Sequence, residues 1–330
     1  MKILVFEYIS GGGLAGQVLP ASLAAEGRMM LQTLLDELKI LPNIELLLPL
    51  DERCHPISIP ENCRVFRVGP TDDIQLLLAN WIAETDIVWP IAPETDGLLV
   101  SLAQLVQNQH KTLLLSDPET VALCTDKLLT YRCLAAHGIA AVETQALTDL
   151  STFTSQGRVI KLRDGAGCEG NRIIYTQQDF NRIMHELQQP ERHVIQPLLA
   201  GPSFSLSCLF KQGLGWLLCS NFQEIFVQDQ QFHLQACLVN NDPDACEKYQ
   251  ALINQIASAL PGLWGYIGID LIQSPQYGPQ ILEINPRLTT SYTGIRQATG
   301  INVAEQVLHL LEGQPSLAPT QQRTLRIDIG

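Results

Sequence analysis

Short apolar runs alternate with longer segments of helical periodicity over the first third of the chain. The apolar runs lie at 3–6, 44–48, 87–89 and 112–115. Strands that are apolar on both faces and alternate with helices are typical of βαβ units around a parallel sheet. The pattern therefore predicts a Rossmann-like domain over residues 1–115.

Two helices can be placed from periodicity and end signals. The first carries a stripe of apolar residues at helical spacing, namely Leu23, Met30, Leu31, Leu34, Leu35 and Leu38. Asp36, Glu37 and Lys39 are predicted to lie largely on its opposite, solvated face. A second helix is predicted to begin near Pro118, to run through Lys127 and to end at Gly138.

The pattern changes after residue 116. Residues 158–200 alternate as strand, glycine loop, strand, helix and strand, and residues 203–239 show the long alternation of antiparallel pairing. Two apolar segments, GYIGIDLIQ and QILEINPRL, are separated by a turn-rich stretch and predict a hairpin. The fold class is therefore α/β followed by α+β, with the parts packed around a shared cleft.

Composition narrows the class of protein. The 330 residues include 46% hydrophobic residues, and 21 basic against 34 acidic residues give a net charge of −13. This balance is that of a globular chain, and without a basic block it argues against nucleic-acid binding. No apolar stretch approaches the ~20 residues of a membrane span, and the first residues do not resemble a signal peptide, so a cytoplasmic protein without membrane partners is expected.

Nine cysteines are scattered without a CxxC pair. This spacing supports neither a zinc site nor a disulfide framework, and reduced, buried thiols are the favoured interpretation. Cys168 is the exception to test, because it lies inside the glycine loop.

The predicted hairpin carries polar residues within apolar strands. Asp270 lies in the first strand, and Glu283 and Asn285 share one face of the second. Pairing of the two strands would bring the three side chains together as hard oxygen ligands of the kind that magnesium prefers. The alternative is a structural hydrogen-bond network with Arg287 as its counter-ion.

A second constellation surrounds the glycine loop. Lys161 ends an apolar run, and Gly165, Gly167 and Gly170 follow at GxGxxG spacing. Because a predicted strand rather than a helix follows, the loop joins two strands and does not match a Rossmann fingerprint. Its backbone amides would approach phosphate oxygens closely, with Lys127 and Lys161 adding positive charge. The alternative is an ordinary flexible hairpin with two unremarkable lysines.

Gln196 ends the next strand, before a break at Gly201 and Pro202. This break is interpreted as an interdomain hinge that lines an adenine pocket. Taken in order, the Lys127 helix, Lys161 with its loop, the IQPLLAG hinge, Asp270 and the EINPR strand resemble the ATP-grasp superfamily. Within it, the segments FEYISGGG, PIAPETDGLL and LEINPRLTTSYTG are similar to the tyramine-glutamate ligases of methanofuran and methylofuran biosynthesis.

The resemblance implies an ATP-dependent ligase that uses Mg²⁺ or Mn²⁺ and joins L-glutamate to tyramine or tyrosine through an acyl phosphate. It implies a pre-ATP-grasp domain over 1–115, a lid-bearing lobe over 116–196 and a metal-binding lobe over 197–330, and makes a homodimer an expectation. It also implies roles for single residues: Lys127 and Lys161 on the ATP phosphates, Gln196 and Leu198 at the adenine, Asp270, Glu283 and Asn285 on the metal, and Arg287 on the phosphorylated intermediate.

Two hinge positions depart from the family pattern. Pro197 stands where an acidic residue is common, and Ser203 stands where a ribose-binding glutamate is expected. The departure puts the ribose contact in doubt.

Substrate residues are predicted at three places. Ser10, Gly11 and Gly12 follow the first strand, where open α/β sheets bind ligands, or they form a tight turn. Glu94 precedes a predicted helix and either contacts substrate or stabilises the helix N-terminus. Tyr292 either stacks on an aromatic amine or is an exposed loop residue.

Two competing functions remain open. One keeps the ATP-grasp chemistry with other substrates, as an amino-acid ligase or a carboxylase-like enzyme that uses bicarbonate. The other is a regulatory protein that binds ATP without turnover.

Overall fold

The computed structural model describes residues 1–150, 153, 157–168 and 170–329. Its first sheet has five parallel strands in the order β3-β2-β1-β4-β5. The strands are β1 (Lys2–Glu7), β2 (Glu45–Asp51), β3 (Cys63–Val68), β4 (Ile87–Ile91) and β5 (Thr112–Leu113). The helices that cover this sheet are α1 (Ala21–Leu38), α2 (Ile74–Ala83) and α3 (Leu98–Asn108). This arrangement confirms the predicted Rossmann-like opening. The strand β3 was not predicted, because its sequence CRVFRV is interrupted by two arginines and lacks the continuous apolar run by which β1, β2 and β4 were recognised.

The predicted helix around Lys127 is wrong as a single element. It is divided into α4 (Pro118–Thr125) and α5 (Lys127–Ala136). Asp126 between them has extended backbone angles (φ −91°, ψ 106°), and its side chain accepts hydrogen bonds from Leu128 N and Leu129 N. Asp126 is therefore the N-cap of α5, and Lys127 is the first helical residue rather than one in the middle of a helix.

A small antiparallel sheet follows, in the order β6-β9-β7-β8. Its strands are β6 (Gln145–Ala146), β7 (Arg158–Leu162), β8 (Arg172–Ile174) and β9 (His193–Pro197), with α6 (Gln177–Glu186) packed beside them. The pairing of β7 with β8 confirms that the glycine loop joins two strands.

The largest sheet is antiparallel, with six strands in the order β14-β13-β10-β11-β12-β15. These are β10 (Ser203–Lys211), β11 (Leu214–Gln228), β12 (Gln231–Val239), β13 (Gly265–Ser274), β14 (Gly278–Asn285) and β15 (Leu325–Asp328). The accompanying helices are α7 (Ala245–Ala259), α8 (Tyr292–Thr299) and α9 (Val303–Glu312). The turn between β11 and β12 reaches the small sheet, where Ile173 N donates to Gln230 O at 2.8 Å. A cavity is enclosed between the two antiparallel sheets.

Helix α1 packs against both α8 and α9, so the parallel-sheet part and the end of the chain share a core. Glu37 lies in this contact with 1% exposure, which corrects its predicted place on the solvated face. Its Oε2 accepts hydrogen bonds from Tyr292 Oη at 2.8 Å and from Ala304 N, in the first turn of α9, at 2.9 Å. A helix N-terminus and a hydroxyl thus stabilise a carboxylate that has little contact with water.

In the described residues, no helix is long and apolar enough to cross a membrane. A cytoplasmic location and a homodimer stay predictions.

Candidate active site

The hairpin of β13 and β14 brings the predicted metal residues together. Asp270 lies directly opposite Glu283 in the strand pairing, and Asn285 Nδ2 donates to Asp270 Oδ2 at 3.1 Å. A register shift follows Asp270 and Leu271, so the extra residue falls on β14 just before Glu283. The predicted side-by-side placement of these three side chains is confirmed, while their role as metal ligands stays a prediction.

Two lysines approach this carboxylate pair, Lys127 from α5 and Lys161 from β7. Lys127 Nζ is 3.2 Å from Glu283 Oε2 and donates to the carbonyl oxygen of Gly165 at 2.6 Å. Lys161 extends from β7 into the cavity, close enough for Glu283 to affect its pKa. Positive and negative charges therefore meet where the two antiparallel sheets face each other.

The pKa values of these groups depend on one another. Burial, and then the adjacent Glu283 carboxylate, raise the pKa of Asp270. Burial also opposes ionisation of Glu283, but Lys127 and Lys161 outweigh it, so the pKa of Glu283 is lowered. Burial lowers the pKa of Lys161, and Glu283 partly offsets this effect. One carboxylate of the pair thus resists ionisation, which is the behaviour of two like charges that share a site.

The glycine loop contributes part of the cavity wall through Ala166, Gly167, Cys168 and Gly170. Gly167 and Gly170 have φ of 62° and 72°, a conformation that favours glycine over other residues. Position 169 of the predicted lid lies outside the described residues. At the start of the loop, Asp164 forms an ion pair with Arg192 at 3.0 Å. The loop is therefore held at its first residue.

Cys168 is not an activated thiol. Burial, and then Glu283, raise its pKa to about 11. At neutral pH the thiol is protonated, so it lacks the thiolate that a nucleophile or a metal ligand needs.

Residues of the predicted hinge also line the cavity. Gln196 is 1% exposed, and its Nε2 donates to Thr144 Oγ1 at 2.9 Å. Its Oε1 is buried and has no hydrogen-bond partner among the described residues. Leu198 and Ser203 also line the cavity, and Leu198 N donates to Gly157 O at 2.8 Å. An unsatisfied amide oxygen facing a cavity is a candidate acceptor for a ligand N–H.

Arg287 lines the cavity and is anchored from behind by Glu94. Arg287 Nε is 2.8 Å from Glu94 Oε1, and Nη2 donates to Glu94 Oε2 at 2.8 Å. Burial opposes the charge of Arg287, but Glu94 outweighs it and the pKa of Arg287 is raised. Glu94 is 3% exposed and is not part of the cavity wall, so its predicted contact with substrate is replaced by a contact with Arg287.

Tyr292 and the segment 10–12, which were also predicted to contact substrate, lie outside the cavity wall. Tyr292 has no exposed surface and packs edge to face with Tyr266, so it neither stacks on a ligand nor lies in an exposed loop. Ser10 donates to the Glu7 carboxylate through N at 2.6 Å and Oγ at 2.5 Å, and the cavity wall includes neither it nor Gly11 and Gly12. The tight-turn alternative describes this segment.

The cavity has a volume of about 890 Å³ and includes residues that the motifs did not indicate. Gln223 on β11 donates to Asp270 Oδ1 at 3.2 Å, and Glu26 on α1 forms part of the wall. Gln223 is brought there by the register of β10 and β11, and Glu26 by the packing of α1 on α8. Neither residue belongs to a motif. For Glu26, its place as a polar residue within the apolar stripe of α1 is the sequence signal that could have indicated a site.

Comparison with known proteins adds evidence for the whole chain. An ATP-grasp domain model matches residues 124–291, and a pre ATP-grasp domain model matches residues 44–121. The tyramine–L-glutamate ligase of Methanocaldococcus fervens is 25% identical over 300 residues, which are 89% of each chain.

Two solved structures share the fold. An ATP-grasp superfamily protein from Archaeoglobus fulgidus is 21% identical with a TM-score of 0.72, over 99% of this chain and 92% of that one. An L-amino acid ligase from Bacillus licheniformis is 14% identical with a TM-score of 0.66, over 97% and 74% of the two chains. At these identities the structural matches are evidence for the fold alone.

Proposed function

The chain belongs to the ATP-grasp family, and from that premise we propose that it is an ATP-dependent ligase that joins L-glutamate to tyramine or a related aromatic amine. The observation that carries the proposal is the meeting of Lys161, Asp270 and Glu283 in one cavity between two antiparallel sheets, with Lys127 in an ion pair with Glu283. The name of the M. fervens relative supports the choice of substrates. We further propose a place in methanofuran-type cofactor synthesis. We also propose the predicted domain limits, 1–115 and 116–330.

The donor set fits a divalent metal ion. Asp270 and Glu283 are two facing carboxylates whose mutual repulsion a cation would relieve, and Asn285 offers an amide oxygen once its side chain is turned. These are the hard ligands of magnesium or manganese. When bound, such an ion supplies positive charge to the phosphate oxygens of ATP.

We propose that the reaction proceeds in two steps, phosphoryl transfer and then amide formation. A carboxylate oxygen of glutamate attacks the γ-phosphorus of ATP, the bond to the bridging oxygen breaks, and ADP leaves. The amine then attacks the carbonyl carbon of the acyl phosphate, a C–N bond forms, inorganic phosphate leaves, and the nitrogen loses a proton.

The chain's own groups hold the reactants for these steps. Lys127 and Lys161 neutralise phosphate charge, and Arg287, held by Glu94, steadies the acyl phosphate. The unpaired Oε1 of Gln196 accepts a hydrogen bond from the adenine amino group, beside Leu198. The glycine loop excludes water, which would hydrolyse the acyl phosphate.

The test is magnesium-dependent ADP release with L-glutamate and, in turn, tyramine and tyrosine, with the product identified by mass. A γ-glutamyl amide is expected. Lys161→Ala is expected to lower the rate ~10²- to 10³-fold, by analogy with the loss of one charged donor at a developing charge. If ADP is released with other amino acids or with bicarbonate instead, the proposed substrates are wrong. If ATP binds but no substrate causes ADP release, the proposed ligase activity is wrong.

A further inference from the structure

Helix α1 forms the wall of the cavity that belongs to the parallel-sheet part of the chain. Ser22, Leu23, Ala25, Glu26 and Met29 are its lining residues. The remainder of the lining comes largely from the two antiparallel sheets and the glycine loop. A ligand held between α1 and the end of β14 would therefore be recognised by side chains outside the segment that the ATP-grasp model matches.

The carboxylates that line the described part of the cavity differ in their partners. Glu224 forms an ion pair with Arg326 at 2.7 Å, and Asp270 and Glu283 face each other across the strand pair. Glu26 has no cation within ion-pair distance among the described residues. Its side chain is half-buried and makes no direct ion pair among the described residues, and this arrangement favours a cationic ligand.

The Glu26 carboxylate is also oriented. Thr290 Oγ1 donates to Glu26 Oε1 at 3.3 Å, and no donor to Oε2 is found among the described residues. Thr290 follows Arg287 by three residues, and both line the same cavity. Glu26 is also near enough to add to the raised pKa of Arg287, after the larger effects of burial and Glu94. A negative and a positive group thus stand at one end of the cavity, beside the carboxylate pair of β13 and β14.

We propose that Glu26, oriented by Thr290, is the subsite for a primary ammonium group of a substrate. The proposal rests on the proposed ligase function, whose two organic substrates both carry such a group. The ammonium is either the α-ammonium of the amino acid that is activated or that of the amine acceptor, which then loses one proton to Glu26 or to solvent before its nitrogen attacks the acyl phosphate. In both cases Glu26 supplies a charge-assisted hydrogen bond that Arg287 and the lysines are unable to supply.

The experiment compares the full-length chain with Glu26→Gln, which keeps the shape of the side chain and removes its charge. Initial rates of ADP release give KM values for L-glutamate and tyramine at saturating MgATP. Loss of a hydrogen bond to a charged group corresponds to roughly 10- to 100-fold in KM. Asp36→Asn is the matched control, because it removes a carboxylate from the same helix. Asp36 does not line the cavity, and its Oδ1 lies 2.5 Å from Lys39 Nζ.

The two sources of the ammonium give different results. If the amino acid supplies it, KM rises for L-glutamate, and the preference for L-glutamate over glutarate, which lacks the ammonium, collapses. If the acceptor supplies it, KM rises for tyramine and the preference for L-glutamate persists. In either case Thr290→Val produces a smaller rise in the same KM, and KM for MgATP stays within about twofold of the wild-type value.

Calorimetric binding keeps this test separate from the ligase proposal. L-Glutamate and other L-amino acids are compared with glutarate, and tyramine is compared with 4-ethylphenol, all in the presence of MgADP and without turnover. The inference is overturned if Glu26→Gln binds every ammonium ligand as the wild-type chain does, or if the wild-type chain prefers no ammonium ligand to its ammonium-free analogue. Failure of ADP release alone would overturn the ligase function and leave the ammonium subsite to be decided by binding.

Discussion

Two of the regions in which the molecule buries carboxylates use them differently. The cavity cluster consists of Lys127, Lys161, Asp270, Glu283 and Arg287, and the core cluster consists of Glu37 and Tyr292 with the first turn of α9. Asp270 faces a second carboxylate and lines a cavity of about 890 Å³. Glu37 is enclosed by α1, α8 and α9, and accepts hydrogen bonds from a hydroxyl and a helix N-terminus. Both carboxylates have a raised pKa because burial penalises their charge.

Burial and a perturbed pKa therefore do not separate a functional carboxylate from a structural one. What separates these two is that Asp270 lines a cavity that a ligand can enter, whereas Glu37 lies in the packed contact between helices. The cavity cluster presents like charges and cations to an open space, so a phosphate and a metal ion would improve its electrostatic balance. The core cluster does not line this cavity. Glu37 has a hydroxyl and a helix N-terminus as hydrogen-bond donors, and the nearby Arg296 opposes the rise of its pKa. We therefore expect its effect to be confined to the stability of the α1 contact.

Arg287 tests whether structural and chemical roles can be separated in one ion pair. Arg287→Ala leaves Glu94 buried without a counter-ion, so we expect a loss of about 3–5 kcal/mol in the free energy of unfolding. We also expect a ~10²- to 10³-fold loss of turnover. Adding Glu94→Gln should recover most of the stability and none of the turnover, as measured by chemical denaturation and ADP release. Recovery of turnover in the double variant would show that Arg287 has no direct role in the reaction.

Asp270→Asn is expected to separate activity from stability within the cavity cluster. Turnover should fall by ~10²- to 10³-fold, because the variant removes a proposed ligand of the metal. Without metal at pH 8, the melting temperature should be equal to or above that of the wild-type chain, because the variant removes a charge that burial and Glu283 both disfavour. MgADP should raise the melting temperature of the wild-type chain and have little effect on the variant. A large loss of stability in the metal-free variant would assign Asp270 a structural role.

Glu37→Gln applies the same change to the core cluster. Burial raises the pKa of Glu37 from 4.5 to about 7, so the folded state binds the proton more tightly than the unfolded state. The stability that this group contributes is complete below pH 4.5 and is lost as the pH rises through about 7. The shift corresponds to roughly 3 kcal/mol between these limits.

The measurement is the free energy of unfolding between pH 5 and 8 for the wild-type chain and the variant. Glu37→Gln should flatten this dependence and leave ADP release within about twofold of wild type. Glu7 and Asp270 also have raised pKa values, so some slope of the same sign will remain in both proteins. An unchanged slope in the variant would contradict the raised pKa of Glu37.

The fold class and the reaction end of the cavity could be predicted from the sequence because their signals are local. The apolar runs of β1, β2 and β4 and the alternation in β10 to β12 depend on residues close together in the chain. Asp270 and Glu283 are opposite each other because a short turn joins their strands, and such a hairpin leaves few possible registers.

The remainder depends on contacts between distant segments. Asp126 interrupts a helix without glycine or proline, because its side chain caps α5 and Lys127 N donates to Arg163 O at 3.0 Å. Glu37 lies one position from the apolar stripe of α1, and only the packing of α9 shows that it is buried. Glu26 reaches the cavity through the packing of α1 on α8. No period or motif in a single sequence contains this information.

Tyr292→Phe is the smallest change and the sharpest test of which region Tyr292 belongs to. It removes the hydroxyl that donates to Glu37 and keeps the ring against Tyr266. The loss should be about 1–2 kcal/mol at pH 8, where Glu37 is largely ionised, because a hydrogen bond to a charged group disappears. At pH 5, where Glu37 is protonated, the loss should be smaller. KM for tyramine should not change, since the ring has no exposed surface. A rise in that KM with unchanged stability would instead support a contact between Tyr292 and the substrate.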